Sequence, residues 1–209
     1  MSHACHSHGC TPPAPNQSPR YRRVLWAALI INACMFVVEL AGGLQAGSVS
    51  LLADAVDFFG DAANYGLSLV VLGMALTWRA RAALLKGLSM GAFGVFVLGR
   101  AAWSLAEGTV PEPLTMGAIG ALALVANVAV AAMLYAWREG DANMRSVWLC
   151  SRNDAIGNVA VMAAALGVFG TGSAWPDLAV AVVMGVLALT AARAVIQQAR
   201  AELRGEGAG

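Results

Sequence analysis

Six runs of about twenty apolar residues, joined by short connections, decide what this chain can fold into. They lie near residues 24–44, 49–73, 83–106, 114–137, 144–170 and 175–197. About twenty apolar residues cross a bilayer as a helix. Composition agrees: 59% of the residues are hydrophobic and 12% charged, with a mean hydropathy of +0.67. Soluble domains are about half apolar and about a quarter charged. The expectation is an all-α membrane protein, a six transmembrane helix bundle with both termini cytoplasmic. Its divisions are a flexible tail at 1–20, the six-helix domain at 21–200 and a short tail at 201–209.

Orientation comes from Lys and Arg, which favour the cytoplasmic side. Arg20, Arg22 and Arg23 precede the first span, and Arg79, Arg81 and Lys86 are assigned to the connection before the third. Arg138 and Arg145 separate spans four and five, and Arg193, Arg200 and Arg204 end or follow the sixth. The other three connections hold no Lys or Arg. Arg100 and Arg152 are the exceptions inside spans, expected to snorkel or to pair with a carboxylate.

The first twenty residues are polar, hold four of the seven prolines and lack the apolar core of a signal peptide. A net charge of +1 gives no reason to expect nucleic acid. Cys34 and Cys150 fall within spans, so a disulfide framework is not expected. The sequence holds no nucleophile–base pair, phosphate loop or zinc-protease motif, and the chain is not expected to be an enzyme. The local string "FFGD" lacks the first glycine of the GxGD segment that intramembrane aspartyl proteases need.

The second span, "LLADAVDFFGDAANYGLSLVV", carries three acids. Residues four apart share a helix face, so Asp57 and Asp61 project together, with Asp54 and Asn64 on nearly the same stripe. Span five repeats the device with Asp154 and Asn158, and Cys150 lies one turn before Asp154. One Asp at mid-membrane costs roughly 2.5–3.5 kcal/mol. The spans show too little positive charge to offset three of them, so a bound metal cation held by Asp57, Asp61, Asp154 and Asn158 is the simplest counter-charge. Asp54 is expected nearer the outer end of its span, holding the helix end.

Several segments then resemble the cation diffusion facilitator (cation efflux) family. "NACMFVVELAGGLQAGSVSLLADAVDFFGD" is similar to its first two helices, with Asn32 and Glu39. "GALALVANVAVAAML" is similar to helix four, with Asn127. "RNDAIGNVAV" is similar to helix five, and "AWPDLAVAVVMGVLAL" to the start of helix six, with Asp177. The resemblance implies a divalent metal efflux transporter exchanging metal for protons, in a short form without the family's C-terminal cytoplasmic domain. It maps the family's metal quartet onto Asp57, Asp61, Asp154 and Asn158. It makes Asn32, Glu39, Asp54, Asn64, Asn127 and Asp177 pathway or structural polar residues.

The quartet here has no imidazole, and its last carboxylate is an amide. Oxygen ligands alone suit manganese-like ions. The segment "HACHSHGC" points the other way, gathering His3, Cys5, His6, His8 and Cys10 as candidate accessory ligands. Cys150 is a further accessory candidate. On balance the cargo expected is Zn, Cd or Co rather than Mn or Fe, with no resident cofactor. Metal binding to carboxylates releases protons, which supplies the coupling. The alternative is a transport-inactive metal-binding or accessory membrane subunit. Partners are the lipid bilayer, divalent metal ions and protons. A homodimer through the Gly87–Gly91 stripe is a further option, and the location implied is a bacterial inner membrane.

Overall fold

The fourth helix shows why these residues fold as they do. Its buried positions are Met116, Gly120, Ala123, Asn127, Val130 and Leu134, alternating steps of four and three. The residues facing outward are Leu114, Leu122, Val125 and Val128. The inward face mixes the small and polar Gly120, Ala123 and Asn127 with Met116, Val130 and Leu134, while bulky apolar groups also cover the outside. That is the reverse of a helix in water, and it suits a helix whose outer solvent is lipid.

A computed structural model describes residues 19–70, 76–137 and 142–206, with side chains described there except at 76, 77, 79, 137, 142–150, 153, 205 and 206. The helices run α1 (Pro19–Ala46), α2 (Val49–Val70), α3 (Leu76–Glu107), α4 (Pro113–Leu134), α5 (Ala142–Thr171) and α6 (Trp175–Glu206), with a 3-10 turn at Tyr135–Trp137. Five of them carry a stretch long and apolar enough to cross a membrane. The sixth, α2, is the helix with three acids. Its 22 residues give about 33 Å of rise, enough for a hydrocarbon core of about 30 Å. The protein is an all-α integral membrane protein.

The acids on α2 are tolerated because α2 hardly meets lipid. It touches every one of the other five helices, and residues 48–56 form an unbroken buried run. Around it, α1 packs on α4, α4 on α5, α5 on α6 and α6 on α3. Neighbours run antiparallel: Gly43 meets Leu52 near one end of the α1–α2 pair, and Leu29 meets Gly66 toward the other. Six alternating helices bring Pro19 and Glu206 to the same end of the bundle.

Gly47 turns the chain between α1 and α2 at a φ of 66°, a conformation that costs glycine little and other residues more. The glycine stripe of α3 is occupied within the chain. A methyl on Gly87 would meet Ile196 at 2.8 Å, and one on Gly94 would meet Leu189 at 2.9 Å. The stripe therefore seats α6 against α3, and a dimer would need another face.

One boundary changes the reading of a charged residue. The third helix begins at Leu76 rather than near 83. Lys86, assigned above to a connection, therefore lies inside α3, and it is buried at 9% exposure. Counting Lys and Arg as loop markers misplaces it. The apolar residues on both sides of it, Leu84, Leu85 and Leu88, continue the helix through it.

Candidate metal centre

At the end of the bundle away from Pro19, Asp177 sits in the first turn of α6 and faces the start of α2. Its carboxylate accepts from Ser48 Oγ (2.7 Å), Ser50 Oγ (2.6 Å) and the backbone N–H groups of Val49 (2.8 Å) and Ser50 (3.1 Å). The N–H of Leu51 donates to Ser48 Oγ at 3.2 Å. A helix start leaves four N–H groups without intrahelical partners, and here three of them are met by two side chains. Asp177 is structural. It also does the task expected of Asp54, which lies a turn and a half further into α2.

Asp54 is 1% exposed and faces Glu39 of α1, itself fully buried. Asp57 follows one turn on, partly accessible, with Asp54 and Asp61 as its charged neighbours. Asp61 lies beside Asp154 of α5 and accepts from Tyr65 Oη at 2.9 Å. Tyr65 Oη in turn lies 2.6 Å from Ser151 Oγ on α5. Asn64 reaches Asp61 with its side chain and accepts a hydrogen bond from Lys86 Nζ. The i, i+4 spacing on α2 and the facing pair on α5 thus produce one column of carboxyls along the bundle axis.

The structure brings Asp57, Asp61 and Asp154 into mutual electrostatic range. Asn158 is fully buried one turn beyond Asp154, and neither of its side-chain polar atoms has a hydrogen-bond partner. Among the described residues no three Asp, Glu, His or Cys groups close onto a single point. The carboxyls are strung along the axis instead. Asn32 donates to the Ala28 carbonyl at 2.8 Å, while its Oδ1 and that of buried Asn127 have no donor. Arg100 is half-buried, and its Nε has no hydrogen-bond partner. Arg152 is exposed. His3, Cys5, His6, His8, Cys10 and the Cys150 side chain lie outside the described residues.

Buried polar atoms are nearly always hydrogen-bonded, so exceptions call for a reason. Here most exceptions are acceptors: Asn32 Oδ1, both oxygens of Glu39, Asp54 Oδ2, Asn127 Oδ1 and Asn158 Oδ1. Among the described residues, five buried or half-buried carboxyls, Glu39, Asp54, Asp57, Asp61 and Asp154, accompany one buried ammonium, Lys86. A buried column rich in unmatched oxygens favours a cation. Phe36, Phe59 and Phe93, with centroids 5.6–6.0 Å apart, pack together from α1, α2 and α3.

Comparison with known proteins adds the family. The cation efflux transmembrane domain matches residues 25–203. The chain belongs to the cation efflux family. It is 26% identical over 179 residues to the metal cation efflux system protein CzcD of Cupriavidus metallidurans, covering 80% of this chain and 57% of that protein. It is 28% identical over 214 residues to the zinc transporter ZitB of Pectobacterium atrosepticum, covering 95% of this chain and 64% of that one. It is 31% identical over 130 residues to metal tolerance protein A2 of Arabidopsis thaliana, covering 54% and 32%. The chain thus spans less than two thirds of the length of these relatives.

Sequence reasoning found the facing acids but missed Lys86, Tyr65 and Ser151. The i, i+4 relation of Asp61 and Tyr65 was available from spacing alone. The contact with Ser151, 86 residues away, was not.

Proposed function

We propose that this cation efflux protein exports a divalent metal ion through the site formed by Asp57, Asp61, Asp154 and Asn158, in exchange for protons. The observation that carries this reading is the Asp61–Asp154 pairing across α2 and α5. Two buried carboxyls side by side are stabilised by a proton between them. A metal ion that takes both carboxylates must release that proton. Opening the column alternately to either side then moves metal one way and protons the other.

Asp57 and Asp154 are partly accessible, and Asn158 and Asp61 are buried. Helix movement that draws the column together would bring these side chains onto one ion. Tyr65 orients Asp61 and, through Ser151, ties that orientation to α5. The termini are placed in the cytoplasm by the Lys/Arg distribution, in a bacterial inner membrane. The cargo inferred is Zn, Cd or Co, a choice supported by the zinc transporter among the relatives and by the His3–Cys10 cluster.

A second reading is a transport-inactive metal-binding subunit, favoured by the amide at Asn158 where a fourth acid would complete the set. Metal resistance in a sensitive bacterial host separates the two. An exporter confers resistance that Asp57→Ala and Asp154→Ala abolish at unchanged protein abundance. A binding subunit confers resistance indifferent to both substitutions, or none.

A further inference from the structure

The buried ammonium of Lys86, beside the carboxylate column, is the feature that the transport reading leaves without a task. Lys86 sits two and a half turns inside α3, within the bundle, although long cationic side chains ordinarily snorkel to the interface. It donates to Asn64 Oδ1, the Asn64 side chain reaches Asp61, and the Lys86 charge acts directly on Asp61. The contact register agrees, since Met90 of α3 packs on Gly60 of α2, one turn from the Lys86–Asn64 bond. Burying an ammonium is expensive unless it is paired, so its place beside the acids has a compensating electrostatic return.

We propose that Lys86 is a tethered cation that competes with the transported metal for the Asp61 end of the site, setting metal affinity low enough for release. This inference rests on the export reading above. With no metal bound, Lys86 and the shared proton together hold down the negative charge of the column, and Asn64 transmits the ammonium to Asp61. A divalent ion arriving at Asp61 and Asp154 meets that fixed positive charge, whose field already acts on Asp61. Repulsion between like charges at such range, in a medium of intermediate dielectric, weakens binding by about tenfold or more. A carrier gains from this, because an ion held too tightly does not leave. No covalent step is involved. Lys86 acts on affinity without ligating the metal.

The test measures zinc binding to the full chain in detergent, by competition with a chromogenic chelator. His3, Cys5, His6, His8 and Cys10 are replaced throughout so that only the membrane site reports. Lys86→Gln should bind zinc about tenfold more tightly than the parent, and Lys86→Arg, which keeps the charge, should stay within about threefold of it. In proteoliposomes the same Lys86→Gln should turn over more slowly at saturating zinc, as release becomes limiting. Equal or weaker binding by folded Lys86→Gln overturns the proposal. Should Lys86→Gln not accumulate, Lys86→Met removes the same charge in an apolar shape. If both fail to fold while Lys86→Arg folds, the charge holds the bundle together and the competitive role falls. Asp57→Ala and Asp154→Ala separate the two levels. Binding that survives both defeats the site itself, whereas binding lost in both with no gain in Lys86→Gln defeats only the inference about Lys86.

Discussion

Asp177 and the Glu39–Asp54 pair are carboxyls buried to the same degree, and they differ in every other respect. Asp177 has four donors within 3.1 Å and joins two helix starts. Glu39 has none for either oxygen, and Asp54 has an unmatched Oδ2. The lesson is that burial alone does not tell how a carboxyl is held. A carboxylate whose lone pairs are all spoken for holds the fold. One whose lone pairs face each other is stabilised only when something positive, a proton or a metal ion, comes between them.

The sharpest way to break that contrast is to exchange the consequences. Asp57→Ala and Asp154→Ala should lower metal flux at least about hundredfold while abundance and melting temperature hold or rise. A parallel fall in both quantities would erase the distinction. Asp177→Ala should do the reverse. Losing the carboxylate strands two buried backbone N–H groups and two hydroxyls, at about 3–5 kcal/mol, read as a lower denaturation midpoint in detergent. Normal stability in that variant would show that the α2 cap is dispensable.

Glu39→Gln tests the other side. It replaces a buried acid that lacks donors with a neutral group of the same shape. The protein should become more stable by about 1 kcal/mol and transport more slowly, measured by thermal unfolding beside flux. A loss of stability would mean that Glu39 has donors of its own. The smallest effect belongs to Glu112, the exposed N-cap of α4. Its carboxyl is held below its ordinary value of 4.5 by hydrogen bonds from the Thr115 side chain, then from the backbone N–H groups of Thr115 and Leu114. A depressed acid contributes stability above its unfolded value and loses it as pH falls through the folded value. Amide exchange in the first turn of α4 should therefore quicken below about pH 4.5, and Glu112→Gln should abolish that dependence. An unchanged pH profile in the variant would assign the protection elsewhere.

Much of this was legible in the sequence, for identifiable reasons. Helices in lipid must satisfy their backbone internally, so hydropathy alone located all six. The spacing of Asp57 with Asp61, and of Asp154 with Asn158, gives two polar faces, and the structure brings Asp57, Asp61 and Asp154 into electrostatic range. The signals that failed were those depending on a partner far along the chain. Asp177 caps a helix that begins 128 residues earlier, which no local pattern reveals. Asp54 was expected to hold the end of α2 because that end needed holding, but Asp177 already holds it. Lys86 was counted as an orientation marker because a lysine close to arginines reads as a loop residue. The uninterrupted "ALLKGLSMG" around it was the available sign that the helix runs through.

The most direct test of the central claim is metal flux in proteoliposomes holding purified protein, with Zn, Cd, Co, Mn and Fe offered in turn across an imposed pH gradient. The account predicts that Zn, Cd or Co moves against the protons, that flux collapses when the gradient is dissipated, and that Asp57→Ala and Asp154→Ala abolish it. Flux indifferent to the gradient, or surviving both substitutions, would contradict it.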